Sequence, residues 1–341
     1  MKERVSVGVI GAGGIAERHI GNLIEEPSAR LVGVADPVVD RAQEQAARAH
    51  APAYADWREL IDARPDALLL CLPPFAHGDA EVAAAEAGIP FFVEKPIATD
   101  VETAEGIAAA VAAAGIPTGV GYHWRYLDTV ERARQELVAK PARLGAGYWW
   151  DGTPPREWWV HEATSGGQMV EQTTHIFDLA RYLVGEPVRV TAVARRVERE
   201  DPPFADADVA DLSVATVEFA SGAVVAFSST SLLRWPHRIG LHLVSEAMVI
   251  ELSEFELMLD VGKGRPITKP AIDPFKAELR DFLTAAAGGP DRIKAPYAEA
   301  LRTQRLTVAA TKAARDGTPV DIELASSAEP AAVPAATARK P

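Results

Sequence analysis

A chain of 341 residues with 48 acidic side chains against 35 lysines and arginines carries a formal charge of −13. That charge argues against nucleic acid as a partner, since phosphate binding needs a basic face. At 48% hydrophobic and 24% charged residues the composition is that of an ordinary soluble globular protein, long enough for two domains and for a core without staples. Cys71 is the only cysteine, so no internal disulfide forms, and no Cys/His spacing suggests zinc or another metal.

The chain runs from Met1-Lys2-Glu3-Arg4 straight into a strand, with no signal-type apolar segment and no run of about 18 apolar residues. The expectation is a cytoplasmic protein with no membrane partner. The first ~125 residues alternate strand and helix. Strands are expected at Val5–Ile10, Ala29–Ala35, Ala67–Leu72, Ile89–Val93 and Pro117–Gly121. Helices are expected at Gly14–Glu25, Arg41–Ala49, Ala76–Ala87 and Val101–Ala114. This alternation predicts a parallel, doubly wound α/β sheet with right-handed crossovers. Cys71 falls in one of its buried strands and reads as a small core hydrophobe.

Past residue ~140 the pattern changes. Arg143–Asp151 is strand-like and aromatic, and Ser165–Val184 reads as one long helix. Six β-rich runs follow: 188–197, 209–219, 223–229, 239–244, 248–252 and 255–260. Ser221-Gly222 marks a tight hairpin turn between two of them. Strand after strand predicts an α+β domain with a large, mostly antiparallel open sheet. Helices near Pro274–Ala287 and Pro296–Ala314 complete it. The expected division is a dinucleotide-binding domain at 1–125, a substrate-binding and oligomerisation domain at 126–325, and a disordered Ala/Pro-rich tail at 326–341. The acidic stretch Glu198–Asp211 reads as a solvated loop.

Three signals carry chemistry. Gly11-Ala12-Gly13-Gly14-Ile15-Ala16 follows the first strand and fits G-x-G-x-x-G/A, with Ala16 in the third place. Gly11 would permit the tight turn and Gly13 the approach of a pyrophosphate. Gly14 and Ile15 begin the helix whose free N–H groups face the phosphates. Asp36, at the end of the next strand, would accept the ribose hydroxyls and repel a 2′-phosphate. NAD is therefore expected over NADP, with NADP the second option because Arg41 lies near.

The second signal is Glu94-Lys95-Pro96, where a buried parallel strand ends on the ligand-binding edge of the sheet. Every other cation between Lys2 and Lys140 is arginine. A lysine there can stabilise a developing alkoxide. The third signal is Gly166-Gly167 followed by Glu171 and His175, which share one face of a continuous helix. An imidazole with an ordinary pKa near ~6.5 suits proton transfer, and Glu171 would orient it. A metal on this pair lacks an evident third ligand.

Pro73 and His77 follow one predicted strand on the same edge, and His123 and Arg125 follow another. The first pair is expected near the cofactor, as is Glu94. His123 and Arg125 would reach the substrate or tie the domains together. Trp149, Trp150, Trp158 and Trp159 fall within eleven residues. Trp158 is a candidate stacking face for a sugar, although core packing explains most such rings. Only one of Trp149 and Trp150 can face a given cleft.

Together these residues resemble the Gfo/Idh/MocA family, the glucose–fructose oxidoreductase and inositol dehydrogenase type. The resemblance runs from Val5 to about Pro319. It rests on the glycine loop, on Glu94-Lys95-Pro96, and on the G-G-x-x-x-[D]-x-x-x-H helix at Gly166 through His175. It implies a Rossmann domain, a C-terminal α/β domain whose open sheet pairs with its counterpart in homodimers or homotetramers, and Lys95 and His175 as catalytic residues. Many members have aspartate where Glu171 stands and asparagine near His123. In some relatives the bond before the equivalent of Pro96 is cis.

The expected activity is NAD(P)-dependent hydride transfer at a secondary alcohol or ketone of a sugar, inositol or related polyol. His175 would take the hydroxyl proton, Lys95 polarise the oxygen and Glu171 hold His175. Two alternatives share the fold: a glycoside-cleaving enzyme that oxidises its sugar transiently with tightly held NAD, and a non-catalytic sensor of cofactor and sugar.

Overall fold

The computed structural model describes residues 4–197 and 206–323. The tail expected at 326–341 and residues 198–205 of the acidic loop lie outside them.

The first half alternates β1 (Val5–Ile10), α1 (Gly14–Glu25), β2 (Ala29–Ala35), α2 (Val39–Ala47), β3 (Ala53–Tyr54), α3 (Trp57–Asp62), β4 (Ala67–Leu70), α4 (Asp79–Glu86), β5 (Phe91–Val93), α5 (Val101–Ala114) and β6 (Thr118–Val120). All six strands are parallel, in the order β3-β2-β1-β4-β5-β6. The order reverses between β1 and β4, and that switch point opens a ligand crevice beyond the strand ends. Local chemistry sets the boundaries. Asp100 caps α5 by accepting from Thr103 N at 2.8 Å, and Gly115 ends it at φ +64°. The helix expected from Ala76 starts at Asp79 instead, because Gly78 turns the chain at φ +134°. β3 and α3 are too short for periodicity to reveal.

The second half contains α6 (Asp128–Ala139), β7 (Leu144–Gly152), α7 (Glu162–Ser165), α8 (Gln168–Glu171), α9 (Thr174–Val184), β8 (Pro187–Arg195), β9 (Leu212–Phe219), β10 (Val224–Leu233), β11 (Arg238–Ser245), β12 (Met248–Leu252), β13 (Leu257–Asp260), β14 (Ile267–Thr268), α10 (Pro274–Ala286), α11 (Tyr297–Asp316) and β15 (Val320–Asp321). The nine strands form one sheet, β14-β13-β12-β11-β7-β10-β9-β8-β15. Every pairing is antiparallel except β7 with β10. The expected Ser221-Gly222 hairpin joins β9 to β10, with Gly222 at φ +79°.

One face of this sheet packs on α9. Phe177 stacks on Phe227 with ring centroids 4.2 Å apart. A side chain at Gly147 would come within 2.7 Å of both Phe227 and Ile176, so glycine lets α9 lie close on β7. The last two long helices return to the first half. Leu279, Phe282 and Leu283 of α10 join the core of β1 and α1. Tyr297, Ala300 and Leu301 of α11 join the β4–β5 core, while Leu306 and Ala310 of the same helix join the core of the large sheet. The two sheets are therefore held together by shared helices.

Candidate active site

The glycine loop has the geometry a pyrophosphate needs. Gly11 sits at φ +93°, and a Cβ there would fall 2.3 Å from the Cys71 carbonyl oxygen. Gly13 precedes α1 with no side-chain cap, and a Cβ on it would meet nothing within 4 Å. The first-turn N–H groups at Gly14 and Ile15 thus stay free for an anion. Ala16 is fully buried where the helix meets the sheet. Asp36 is pinned at the end of β2: Oδ2 accepts from Ala12 N and Oδ1 from Val38 N, both at 2.8 Å. Each oxygen keeps a lone pair for a ribose hydroxyl. Open backbone, uncapped helix and anchored carboxylate fit a dinucleotide. Arg156, from the other half of the chain, brings Nη2 within 3.6 Å of a Cβ built on Gly14. No motif marked that arginine.

Two side chains expected at the cofactor turn inward to buried partners. Glu94 turns inward, and its Oε1 lies 2.6 Å from His19 Nε2 of α1. Gly121 leaves the space its carboxylate fills. Burial pushes Glu94 up, but the His19 hydrogen bond and charge hold its carboxyl below the usual range. Glu278 of α10 lies beside this pair, sealed and without a hydrogen-bond partner; burial and the Glu94 charge push its carboxyl well up. His77 is also inside. Its Nδ1 lies 2.6 Å from Glu81 Oε1, while Glu81 Oε2 accepts from Gly78 N at 2.8 Å, so the imidazole serves the start of α4. A buried carboxylate needs a partner, and in both cases a histidine supplies it. Pro73 remains half-buried at the strand end.

Lys95 points the other way, and the Lys95–Pro96 bond is cis. Its Nζ donates to the Glu171 main-chain oxygen at 2.9 Å and to Glu171 Oε1 at 3.2 Å. The expected helix 165–184 is broken into α7, α8 and α9. Gly166 and Gly167 interrupt it at φ +74° and +84°. A second break falls after Glu171. In an unbroken helix the Glu171 carbonyl would accept from His175 N; here it accepts from Lys95, and His175 N reaches Gln172 O at 3.4 Å. Glu171 consequently does not orient His175. Its other oxygen, Oε2, accepts from Trp159 Nε1 at 2.7 Å.

His175 opens α9 in an aromatic box. Its ring stacks on Trp149 at 5.7 Å and meets Tyr122 and His123 edge-on at 6.1 and 5.0 Å. Trp150 faces away and donates to Ser228 Oγ at 2.8 Å. Burial, reinforced by the Lys95 and His123 charges, pushes the His175 pKa well below the ordinary histidine value. Nδ1 is sealed and has no hydrogen-bond partner. A neutral imidazole near a fixed ammonium is an arrangement for moving a hydroxyl proton.

The chain is similar to known proteins in sequence and in fold. The model of an oxidoreductase family with an NAD-binding Rossmann fold matches residues 5–122, and the GFO/IDH/MocA C-terminal domain matches residues 135–250. The chain belongs to the GFO/IDH/MocA oxidoreductase family. It is 27% identical to scyllo-inositol 2-dehydrogenase (NAD(+)) of Bacillus subtilis (strain 168), over 95% of this chain and 98% of that protein. It is 30% identical to an inositol 2-dehydrogenase of Paracoccus denitrificans, over 84% and 87%. The fold superposes on levoglucosan dehydrogenase in complex with NADH, with a TM-score of 0.84 at 22% identity, covering 94% of this chain and 99% of that one. This GFO/IDH/MocA protein is an NAD-dependent oxidoreductase.

Of the remaining candidates, Arg125 does not reach the crevice of this GFO/IDH/MocA member. Its Nε and Nη2 bind both oxygens of Asp178 at 2.7 and 2.6 Å, and Nη1 donates to Lys294 O at 2.8 Å. The planar guanidinium spends its donors tying the turn after β6 to α9, with Arg125 and Asp178 both buried. His123 is buried between His175 and Phe275, stacked on the latter at 4.1 Å. Trp158 is half-buried and meets Phe75 edge-on at 6.5 Å. Sequence reasoning missed Trp159, the indole that actually bonds the site. Only its place in the tryptophan cluster signalled it.

Proposed function

We propose that this protein oxidises a secondary alcohol of an inositol, sugar or related polyol, and reduces the matching ketone, with His175 and Lys95 at the reacting carbon. The observation that carries the reading is the pair itself. An ammonium fixed on the Glu171 carbonyl just past the end of β5, and a buried imidazole against Tyr122 just past the end of β6, stand on the same sheet edge as the glycine loop after β1. Bound NAD would supply the hydride acceptor, held by the loop at Gly11–Ile15 and by Asp36. His175 takes the hydroxyl proton. Lys95 donates to the oxygen as charge builds on it, and Glu171 and Trp159 hold Lys95 in place. Loss of one such donor costs about 3–4 kcal/mol in comparable sites. Trp158 and Phe75 border the crevice with apolar faces suited to C–H surfaces.

The inositol and sugar dehydrogenases among its relatives support this substrate class. The outer face of the large sheet exposes Leu144, Val224 and Val244 in one cross-strand row and Val193 with Val214 in another, a surface that a second copy of the chain would cover in a homodimer or homotetramer. No described helix is long and apolar enough to cross a membrane. The cytoplasm, where NAD is available, is the place of action that goes with the reading.

The test is a panel of inositols, aldoses and their keto forms with NAD and NADP, read by NAD(P)H absorbance. Stoichiometric NADH from at least one polyol is expected. Glycoside cleavage without net NADH would replace this reading with transient sugar oxidation. Ligand binding without turnover across the panel would replace it with a sensor.

A further inference from the structure

We propose that His19, Glu94 and Glu278 form a buried site for a divalent first-row metal ion, zinc by the chemistry of the ligands. The three side chains come from separate elements: His19 from α1, Glu94 from the turn just past β5, and Glu278 from α10. One ring nitrogen of the histidine and one carboxyl oxygen of each glutamate lie within 4.8 Å of one another. His19 and Glu278 are 1% exposed and Glu94 is 5% exposed. Spacing in the sequence cannot show such a set, because its members stand far apart in the chain.

Glu278 is the residue that calls for an ion. Both of its carboxyl oxygens are sealed from solvent, and neither has a hydrogen-bond partner. His19 already serves Glu94, with Nε2 2.6 Å from Oε1. The Arg18 guanidinium lies over the Phe275 ring at 3.6 Å and makes no hydrogen bond to Glu278. A buried carboxyl group without a partner is costly. Two of them around one imidazole present the charge that a divalent cation cancels. The donor set then selects the ion. An imidazole nitrogen with carboxylate oxygens suits zinc and its first-row neighbours, whereas calcium and magnesium prefer oxygen alone. No sulfur joins the set, so a soft ion is not favoured.

Zinc holds nitrogen and oxygen at about 2.0–2.2 Å, so tetrahedral neighbours stand roughly 3.4 Å apart. The His19–Glu94 pair opens slightly to admit the ion, and Nε2 exchanges its hydrogen for the metal. Glu278 closes in from the third side. Both of its oxygens are free, so bidentate binding fills the fourth position. Outer contacts that orient metal ligands are already present. Glu94 Oε2 accepts from Lys95 N at 3.1 Å, and Phe92 and Phe275 meet the His19 ring edge-on at 5.4 and 6.2 Å. The ion would pin α10, a helix of the second half, onto the first sheet beside Lys95. Its role is structural, since the Lys95 ammonium points away to Glu171.

The test counts metal in the whole chain. The protein is expressed with zinc in the medium, purified without chelator or metal-affinity resin, and assayed by elemental mass spectrometry. About one zinc per chain is expected in the wild type. Glu278→Gln keeps the shape and removes the charge. Its dissociation constant for zinc should rise at least about 100-fold, since even an outer-shell loss costs 10- to 100-fold. Chelation should lower the thermal midpoint of the wild type by several degrees and leave that of Glu278→Gln unmoved. Cobalt in place of zinc reports the ligands directly through its visible d–d bands, and that measurement needs no variant to fold. A wild type with neither stoichiometric zinc nor the cobalt bands, or equal zinc retention in Glu278→Gln, would overturn the site. None of these readings uses NADH formation, so failure of the metal site is distinct from failure of the dehydrogenase reading.

Discussion

The Lys95 ammonium takes the place of a peptide N–H: it donates at 2.9 Å to the Glu171 carbonyl that His175 N would claim in an unbroken helix. Two of the site's residues are thereby linked through a backbone atom. The break puts His175 in the first turn of a new helix, where its ring stands against Trp149 instead of beside Glu171.

Replacing Lys95 with Met should cost about 100- to 1,000-fold in kcat/KM, the range seen when a single oxyanion donor is removed. The dissociation constant for NAD should move by only a few-fold, since the glycine loop is untouched. Lys95→Arg should not rescue, because the planar guanidinium cannot occupy one point between Glu171 and a substrate oxygen. Near-normal turnover in Lys95→Met would remove it from the reaction.

Trp159→Phe should reduce kcat several-fold while leaving the fold intact. It deletes the 2.7 Å bond from the indole N–H to Glu171 Oε2 and frees the carboxylate to swing. A neutral–charged hydrogen bond of this kind is worth about 1.5–3 kcal/mol. The effect should vanish in a Glu171→Ala background, which removes the acceptor, and a double-mutant cycle on kcat would show it.

The depressed pKa of His175 gives two pH effects of defined sign. Burial comes first among its causes, then the Lys95 and His123 charges. The folded state keeps the ring neutral at a pH where the unfolded chain, titrating near ~6.5, takes up a proton. Its contribution to stability is therefore fully present above ~6.5 and declines as pH falls through that value. Denaturant midpoints from pH 5 to 8, compared with His175→Phe, should show the wild type losing more on the acid side. Oxidation needs the neutral ring, so its rate should hold through pH 6.5 and fall only below it. A His175-dependent activity limb above pH 6.5 would contradict the structure.

Arg125→Lys should destabilise without changing the chemistry. It breaks a bidentate, buried pair with Asp178, and disrupting such pairs costs about 3–5 kcal/mol. The thermal midpoint should drop by several degrees while kcat of the folded enzyme stays within about twofold. A large kcat effect at unchanged stability would return Arg125 to the substrate.

Much of the fold was legible because its determinants are local. The ends of α1, β2 and α5 coincide with the expected limits, set by the glycine loop, by Asp36-Pro37 and by the Asp100 and Gly115 caps. The long helix at 165–184 was misread because periodicity assumes that each carbonyl bonds four residues ahead. Nothing within that segment announces that a lysine from β5 will claim one of them. For the same reason Glu171 was assigned to His175 when its partners are Lys95 and Trp159. Glu94, His77 and Arg125 each stand at a strand end or turn where ligands gather. Glu94 and Arg125 face buried partners from distant elements, His19 and Asp178, and such pairing leaves no trace in spacing, whereas the partner of His77, Glu81, stands four residues ahead where the spacing could have shown it.

The double allegiance of α11 has a consequence for how the molecule comes apart. With Tyr297 and Leu301 locked into one core and Leu306 and Ala310 into the other, neither half can melt and leave that helix intact. Heat or urea should therefore take down both sheets in a single transition, and a chain truncated before Tyr297 should lose packing in both cores at once.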